Sequence, residues 1–508
     1  MKAFCFTLTI LCVVQSTLAY PRPDFGINGV VSGSALVKST SNELSAAATA
    51  TGSASFTPNS GYTKLSTVSN ALQAIGDAVV DAGTAVASAL NTLSTDTGGP
   101  TSTVFGAVNT KIDAFTGLLN GPFSGNLATL TSNTGADIPK QFQDSFTATK
   151  TSLSALKSTL ATLKTNIDAA KTAAGGSSSV SAAIIRAKVP AKSVNDVVTA
   201  IRNLKTNMPL IQYVIESSLD NLRLIDSFVK DINTEVTGTV TGRYKISYEG
   251  FQLNLGTEAS TINSKLTAGV GSPVSSIISS IKADLDANAK YTSDLATPIG
   301  NLANSILNTV SAKTTVITTA FTIYSTAVAN VFADLASTLG SSICGAIKSV
   351  SEAQIANGGF SDFCFSKFSP RVFAQVALTI DAFDVCYEKE VNRLISFESS
   401  VQNVAVQISY NTADLLDNLS ACLALPTTDT KGACFTMLGP YYTAVGTKVD
   451  SLLTSVSNLV AAEATASYNR LGACLNTAIA STALVSAGIK TDTTACMTSG
   501  PVAPAPSV

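Results

Sequence analysis

Apolar residues recur along much of this chain at alternating spacings of three and four. Leu65, Val68, Leu72, Ile75, Val79, Ala82, Val86, Ala89 and Leu93 form one such seam, which Asp96 to Pro100 brings to an end. That rhythm keeps one stripe of a helix turned toward its neighbours, so it predicts a long amphipathic helix in heptad register. A second seam runs through Phe142, Phe146, Thr149, Leu153, Leu156, Leu160, Leu163, Ile167, Ala170 and Ala174, and Gly175-Gly176 closes it. A third runs from Val194 through Val197, Ile201, Leu204, Met208, Ile211, Ile215, Leu219 and Leu222 to Val236, with a kink expected at Pro209. Shorter helices are expected over 101–119 and 274–296, and a longer, nearly all-round apolar helix over 299–339.

Helix starts are punctuated. Ser272-Pro273, Thr297-Pro298 and Ser369-Pro370 each place a capping hydroxyl before a proline suited to the first helical position. Ser and Thr are mediocre helix formers, so the seams must supply most of the helix stability. Residues 244–255 fit two patterns. Tyr244, Ile246, Tyr248, Phe251, Leu253 and Leu255 alternate as a small hairpin would, yet Tyr244, Tyr248, Phe251 and Leu255 also keep helical spacing. Helix is the favoured reading, because a lone hairpin has few partners. Residues 20–62 are rich in Ser, Ala, Gly and Thr without a sustained period, and a flexible, partly disordered lead-in is expected there.

Charged residues make up only 13% of the chain, about half the usual share, so Ser, Thr, Asn and Gln must cover much of the surface. Lys+Arg number 32 and Asp+Glu 34, which leaves no basic footprint for nucleic acid. His is absent, which removes imidazole as a base or metal ligand and with it most Ser-His and Cys-His nucleophile chemistry.

Residues 1–19 have the form of a secretory signal peptide: Lys2 is the positive region, Phe4 to Val14 the apolar run, and Thr17-Leu18-Ala19 the small residues at a cleavage site before Tyr20. A secreted, extracellular protein is expected. Residues 314–332 carry no charge, but six are Thr, which is too polar for a confident membrane span. A helix buried among other helices is expected instead.

Outside the leader, all cysteines lie in the last third: Cys344, Cys364, Cys386, Cys422, Cys434, Cys474 and Cys496. In a secreted protein they are expected to be mostly oxidised. Two helical runs, from Pro370 to about Ala421 and from near Pro440 onward, flank a segment with Pro426 and Gly432. If they fold back on each other, residues equidistant from the turn meet. Cys422 and Cys434 are centred on residue 428, and Cys386–Cys474 and Cys364–Cys496 are both centred on residue 430. Cys386 and Cys422 are 36 residues apart, ten helical turns, so they share a face. These spacings suggest a ladder of three nested bridges. A competing scheme joins Cys344 to Cys364 and frees Cys496. In the nested scheme Cys344 is left over, either buried and reduced in the apolar run 342–347 or exposed and able to link two chains. A zinc site is disfavoured without His or a Cys-x-x-Cys pair.

The segment from Cys364-Phe365 through Cys386-Tyr387, Cys422, Cys434-Phe435, Pro440-Tyr441-Tyr442 to Cys474 resembles the tsetse EP domain of secreted, largely gut-associated fly proteins. The resemblance implies a lumenal protein with a link to midgut defence. It transfers no catalytic residues, and the Glu-Pro repeat that names the founding member is not present: the chain ends in a Pro-rich tail, 499–508.

No Gly-x-Ser-x-Gly elbow, phosphate-binding Gly-Lys loop or dinucleotide fingerprint occurs. Asp77 and Asp81, Asp381 and Asp384, and Asp414 and Asp417 are paired at helical spacing and are expected on solvated faces. Phe360, Phe363, Phe365, Phe368 and Phe373 are expected in the core. Asn418-Leu419-Ser420 is the one N-glycosylation sequon, near the expected hairpin tip.

The expectation is therefore an all-α protein. An elongated, Cys-free array of long amphipathic helices (63–340) precedes a disulfide-stapled antiparallel helical hairpin (341–498). The expected function is that of a non-enzymatic structural or interaction protein of a gut or gland lumen, with no cofactor, no metal and no nucleic-acid partner. Two alternatives are a carrier of lipid or another apolar ligand, and a membrane-active bundle deploying 314–347, whose one charge is Asp334. Self-association is a further candidate.

Overall fold

The computed structural model describes residues 24–121, 123–177, 179–237 and 242–501. The expected leader and residues 502–508 of the expected tail lie outside the described residues. The protein is all-α. In chain order the helices are α1 (Ser34–Thr51), α2 (Thr63–Thr95), α3 (Thr101–Asn120), α4 (Ser124–Thr134), α5 (Asp137–Ala173), α6 (Ala182–Lys188), α7 (Ala191–Thr237), α8 (Arg243–Leu266), α9 (Ser272–Asp286), α10 (Ala296–Ile355), α11 (Ser361–Leu423) and α12 (Thr428–Ser499). Among the described residues the only β pairings are two isolated bridges.

The chain forms two compact units. Among the described residues, the first comprises 24–230, 348–369 and 492–501, and the second 231–347 and 370–491. This differs from the expected linear division at residue 340. The boundaries fall inside α7, α10, α11 and α12, because helices of this length contribute residues to both units.

In the first unit, the lead-in expected to be flexible is instead built into the core. Phe25, Ile27, Val37 and Leu44 are fully buried, and α1 packs on α2 so closely that a Cβ on Gly83 would stand 2.7 Å from that of Ala48. The helix escapes an apolar count because its buried stripe includes Ser34, Thr40, Ser41 and Thr51. The extended stretch after it is pinned to α7: the Asp226 carboxylate accepts the backbone N–H groups of Asn59 (3.0 Å) and Ser60 (2.8 Å), and Arg223 sits over the Phe56 ring. The α5 and α7 seams lie where the spacing predicts, with Leu156 and Leu204 fully buried, and so does the α2 seam, except that Gly83 and Leu90 are buried where Ala82 and Ala89 are expected. Pro209 lies inside an unbroken α7, and the seam residues Met208 and Ile211 stay buried across it.

In the second unit the stretch 244–255 is helical, part of α8. A π-turn, Thr267–Gly271, joins α8 to α9, and another, Tyr291–Leu295, leads into α10. Side-chain ties give the helix order. The Tyr244 hydroxyl donates to the Phe332 carbonyl (2.8 Å) and Asn263 donates to Thr318 (2.9 Å), so α8 runs antiparallel to α10. Thr309 meets Asp450 (3.0 Å) and Tyr324 meets Ser467 (3.0 Å), so α10 runs parallel to α12. Phe251 stacks on Tyr387, while Lys265 lies 3.8 Å from Glu398, so α8 also runs parallel to α11. The unit is a four-helix bundle in the circular order α8, α10, α12, α11, with the consecutive helices α10 and α11 on opposite corners.

Pro370 and Pro440 do not start helices. They lie within α11 and α12, which begin at Ser361 and Thr428. The buried seams continue across both, from Phe368 to Val372 and from Phe435 to Tyr442, and packing overrides the local stop signal.

Candidate functional site

At mid-height of the bundle a buried carboxylate on α11 anchors an ionic cluster that reaches the surface. Glu390 on α11 is 3% exposed and accepts from four groups. Arg470 of α12 reaches its Oε2 through NH2 at 3.0 Å and through Nε at 3.2 Å, Ser467 donates at 2.9 Å, and Arg393 pairs with the other oxygen. Arg470 also binds Glu463 at 2.6 Å, and Tyr324 on α10 shares a hydrogen bond with Ser467. The hydrogen bonds to Glu390 hold the Arg470 guanidinium even more firmly protonated than usual. Burial pushes the Tyr324 phenol well above its usual range.

Beside this cluster lies an aromatic layer. Tyr244 and Tyr248 of α8 both stack on Phe332, and Phe251 stacks on Tyr387. Burial raises the phenols of Tyr244 and Tyr387 far above the ordinary value, so both stay neutral, and Tyr244 donates to the Phe332 carbonyl. Chemically, the cluster satisfies itself. Two carboxylates face two guanidiniums, and the hydroxyls are engaged. Such an arrangement specifies which helices pair and in which register.

The bundle is covalently stapled at the same faces. Cys386–Cys474 and Cys422–Cys434 join α11 to α12 in the second unit, with Cα separations of 5.9 and 5.7 Å. Cys364–Cys496 joins the same two helices in the first unit, at 5.9 Å. Glu390 is one turn beyond Cys386 and Arg470 one turn before Cys474, so bridge and ion pair set one register. Composition and motif did not flag Glu390, Glu463 or Arg470. The cysteine symmetry carried the signal, since residues four beyond one cysteine and four before its mate must also face each other.

The remaining candidate residues are dispersed. Cys344 is unpaired and exposed, not buried: its neighbours Ile343 and Ala346 take the inward positions. Asn418 is exposed in the penultimate turn of α11. Asp77, Asp81, Asp414 and Asp417 are exposed on helix faces, while the exposed Asp381 and Asp384 meet Arg243 and Ser247. Phe365 and Phe368 are buried as expected, but Phe360 and Phe363 are 39% and 42% exposed, because the α11 seam passes through Cys364 and Phe368 and turns Phe363 outward. Phe373 is half-buried and lines an open cleft of about 480 Å³ with Asp231, Glu235 and Arg243. A second open cleft, of about 600 Å³, borders the ionic cluster and is lined by Asn392, Ser396, Phe397 and the outer faces of Arg393, Glu463 and Arg470. Among the described residues no three Cys, Asp or Glu side chains converge to hold a metal ion. Two helical runs, 291–355 and 428–499, are long and apolar enough to cross a membrane by length and composition; the stretch 314–332, expected to be buried among other helices, buries only Ile317, Phe321, Tyr324 and Val328, the one stripe that faces the bundle.

Comparison with known protein families, with characterised proteins and with solved structures finds no match to this chain.

Proposed function

We propose that this is a secreted, non-enzymatic structural or interaction protein of an extracellular lumen. The observation that carries this reading is the stapling of α11 to α12 by three disulfides, of which Cys386–Cys474 lies beside the self-neutralised ionic cluster. Such bonds persist in oxidising compartments, and a core that spends its charged groups on one another favours persistence over turnover. The resemblance of Cys364 to Cys474 to the tsetse EP domain supports a gut or gland lumen as the setting.

Limited proteolysis tests the reading. The chain, expressed with its own leader in insect cells, is expected in the medium and should resist trypsin and chymotrypsin while oxidised. Reduction should sensitise the segment from α11 to α12. Retention inside the cell, or equal cleavage before and after reduction, would count against a lumenal structural role.

Carriage of an apolar ligand is the second reading. It is favoured by exposed apolar side chains such as Leu253 (73%) and Leu484 (78%) on long helices with few charges. Extraction of the purified protein decides between the two: stoichiometric lipid supports carriage, and its absence supports the structural role.

A further inference from the structure

We propose that Asn418 carries an N-linked glycan that lies over Met437 and Tyr441 of the adjoining helix. The inference rests on the extracellular reading, since the transfer occurs in the secretory lumen. The sequon Asn418-Leu419-Ser420 sits near the end of α11. Leu419 is fully buried in the bundle, while Asn418 and Ser420 on either side face solvent. The required asparagine and hydroxyl are therefore both outside, and the folded bundle has room for a sugar there.

The chemistry needs one of the two amide hydrogens. Asn418 Nδ2 attacks the anomeric carbon of a lipid-diphosphate-linked oligosaccharide. The C–N bond forms, the carbon–oxygen bond to phosphate breaks, the lipid diphosphate leaves, and Nδ2 gives up one proton. The remaining N–H can keep the hydrogen bond that Nδ2 now donates to the Asp414 carbonyl at 3.0 Å.

Two ties locate what the sugar would cover. Cys422 is bonded to Cys434, and the Tyr442 hydroxyl donates to the Leu415 carbonyl at 3.0 Å. Asn418 lies between the two tied positions on α11, and Met437 and Tyr441 lie between the two on α12. These side chains are 71% and 61% exposed and one turn apart, so they form an apolar step beside the sequon. An aromatic ring and a pliable thioether suit the apolar face of a pyranose.

The test uses the full chain with its own leader, secreted from insect cells. Mass mapping should find hexosamine on the peptide holding Asn418, converted to Asp by a peptide N-glycosidase and lost in Ser420→Ala. Enzymatic removal should raise binding of an apolar-surface dye by about twofold or more, and Met437→Ser with Tyr441→Ser should abolish that rise. Secreted protein with an unmodified Asn418, or dye binding indifferent to the sugar, overturns the inference while the extracellular reading stands. If the chain does not reach the medium, that reading fails. A substituted secretory leader then tests the site alone: a glycan at Asn418 supports the inference and a bare Asn418 overturns it.

Discussion

Glu258 occupies a place that the α8 seam otherwise gives to Phe251, Leu255, Ile262 and Leu266. It is 8% exposed, and its Oε2 is buried without a hydrogen-bond partner. Burial, reinforced by the nearby Glu398, raises its carboxyl above the ordinary 4.5. The folded chain therefore keeps this proton at pH values where the unfolded chain has lost it, and stability falls as pH rises from about 4.5 toward the folded value. Glu258→Gln should raise the Tm at pH 7 and flatten its decline across that window, as read by calorimetry from pH 4 to 8. An unchanged slope would place the titration elsewhere. Leu156 and the next residue test the α5 seam in the same way. Leu156 is fully buried, whereas Lys157 is exposed and pairs with Asp113 at 2.6 Å. Leu156→Asp should cost several kcal/mol through an unpaired buried charge, and Lys157→Asp about 0.5–1 kcal/mol, measured by urea denaturation. At this scale Leu156 was legible from spacing alone. Glu258 was not, because a charge at a seam position looks in the sequence like any surface glutamate.

Between helices, the ionic cluster and the disulfides hold one register by different physics. Removing Glu390 leaves Arg470 without its main partner. Arg470 keeps 36% of its side-chain surface in water, so Glu390→Ala should cost about 2–3 kcal/mol, less than orphaning a fully buried charge. Replacing both, as Glu390→Leu with Arg470→Met, should recover most of that loss, and a double-mutant cycle on denaturation midpoints reads the coupling. The bridges act on the unfolded chain. Cys386–Cys474 spans 88 residues and Cys422–Cys434 only 12, so chain entropy predicts losses of about 4–5 and about 3 kcal/mol for Cys474→Ser and Cys434→Ser. A larger loss from the short bridge would show that strain or packing, not loop closure, dominates. The helices themselves were largely readable. Their starts at Ser361 and Thr428 were not, since Pro370 and Pro440 are strong local stop signals that continuous seams override.

For the molecule as a whole, helix spans nearly all of the described chain, so far-UV circular dichroism should show a predominantly helical spectrum. A β-dominated spectrum would contradict the fold. The sequence by itself determined the all-α class and the three long seams, and it narrowed the cysteine pairing to two schemes that share Cys422–Cys434 and Cys386–Cys474, because helical periodicity and equidistance from a turn are properties of the chain's own spacing; the structure selects the nested scheme by joining Cys364 to Cys496. Only the tertiary structure decided three other things. It set α1 into the core through a stripe half made of Ser and Thr, where Ser41 and Thr51 donate to carbonyls of their own helix and so are buried without leaving an apolar signal. It divided the chain into two units that share four helices, a partition made by contacts between residues far apart in sequence. And it placed Glu390 against Arg470, since the pairing of two charges across helices depends on which faces meet.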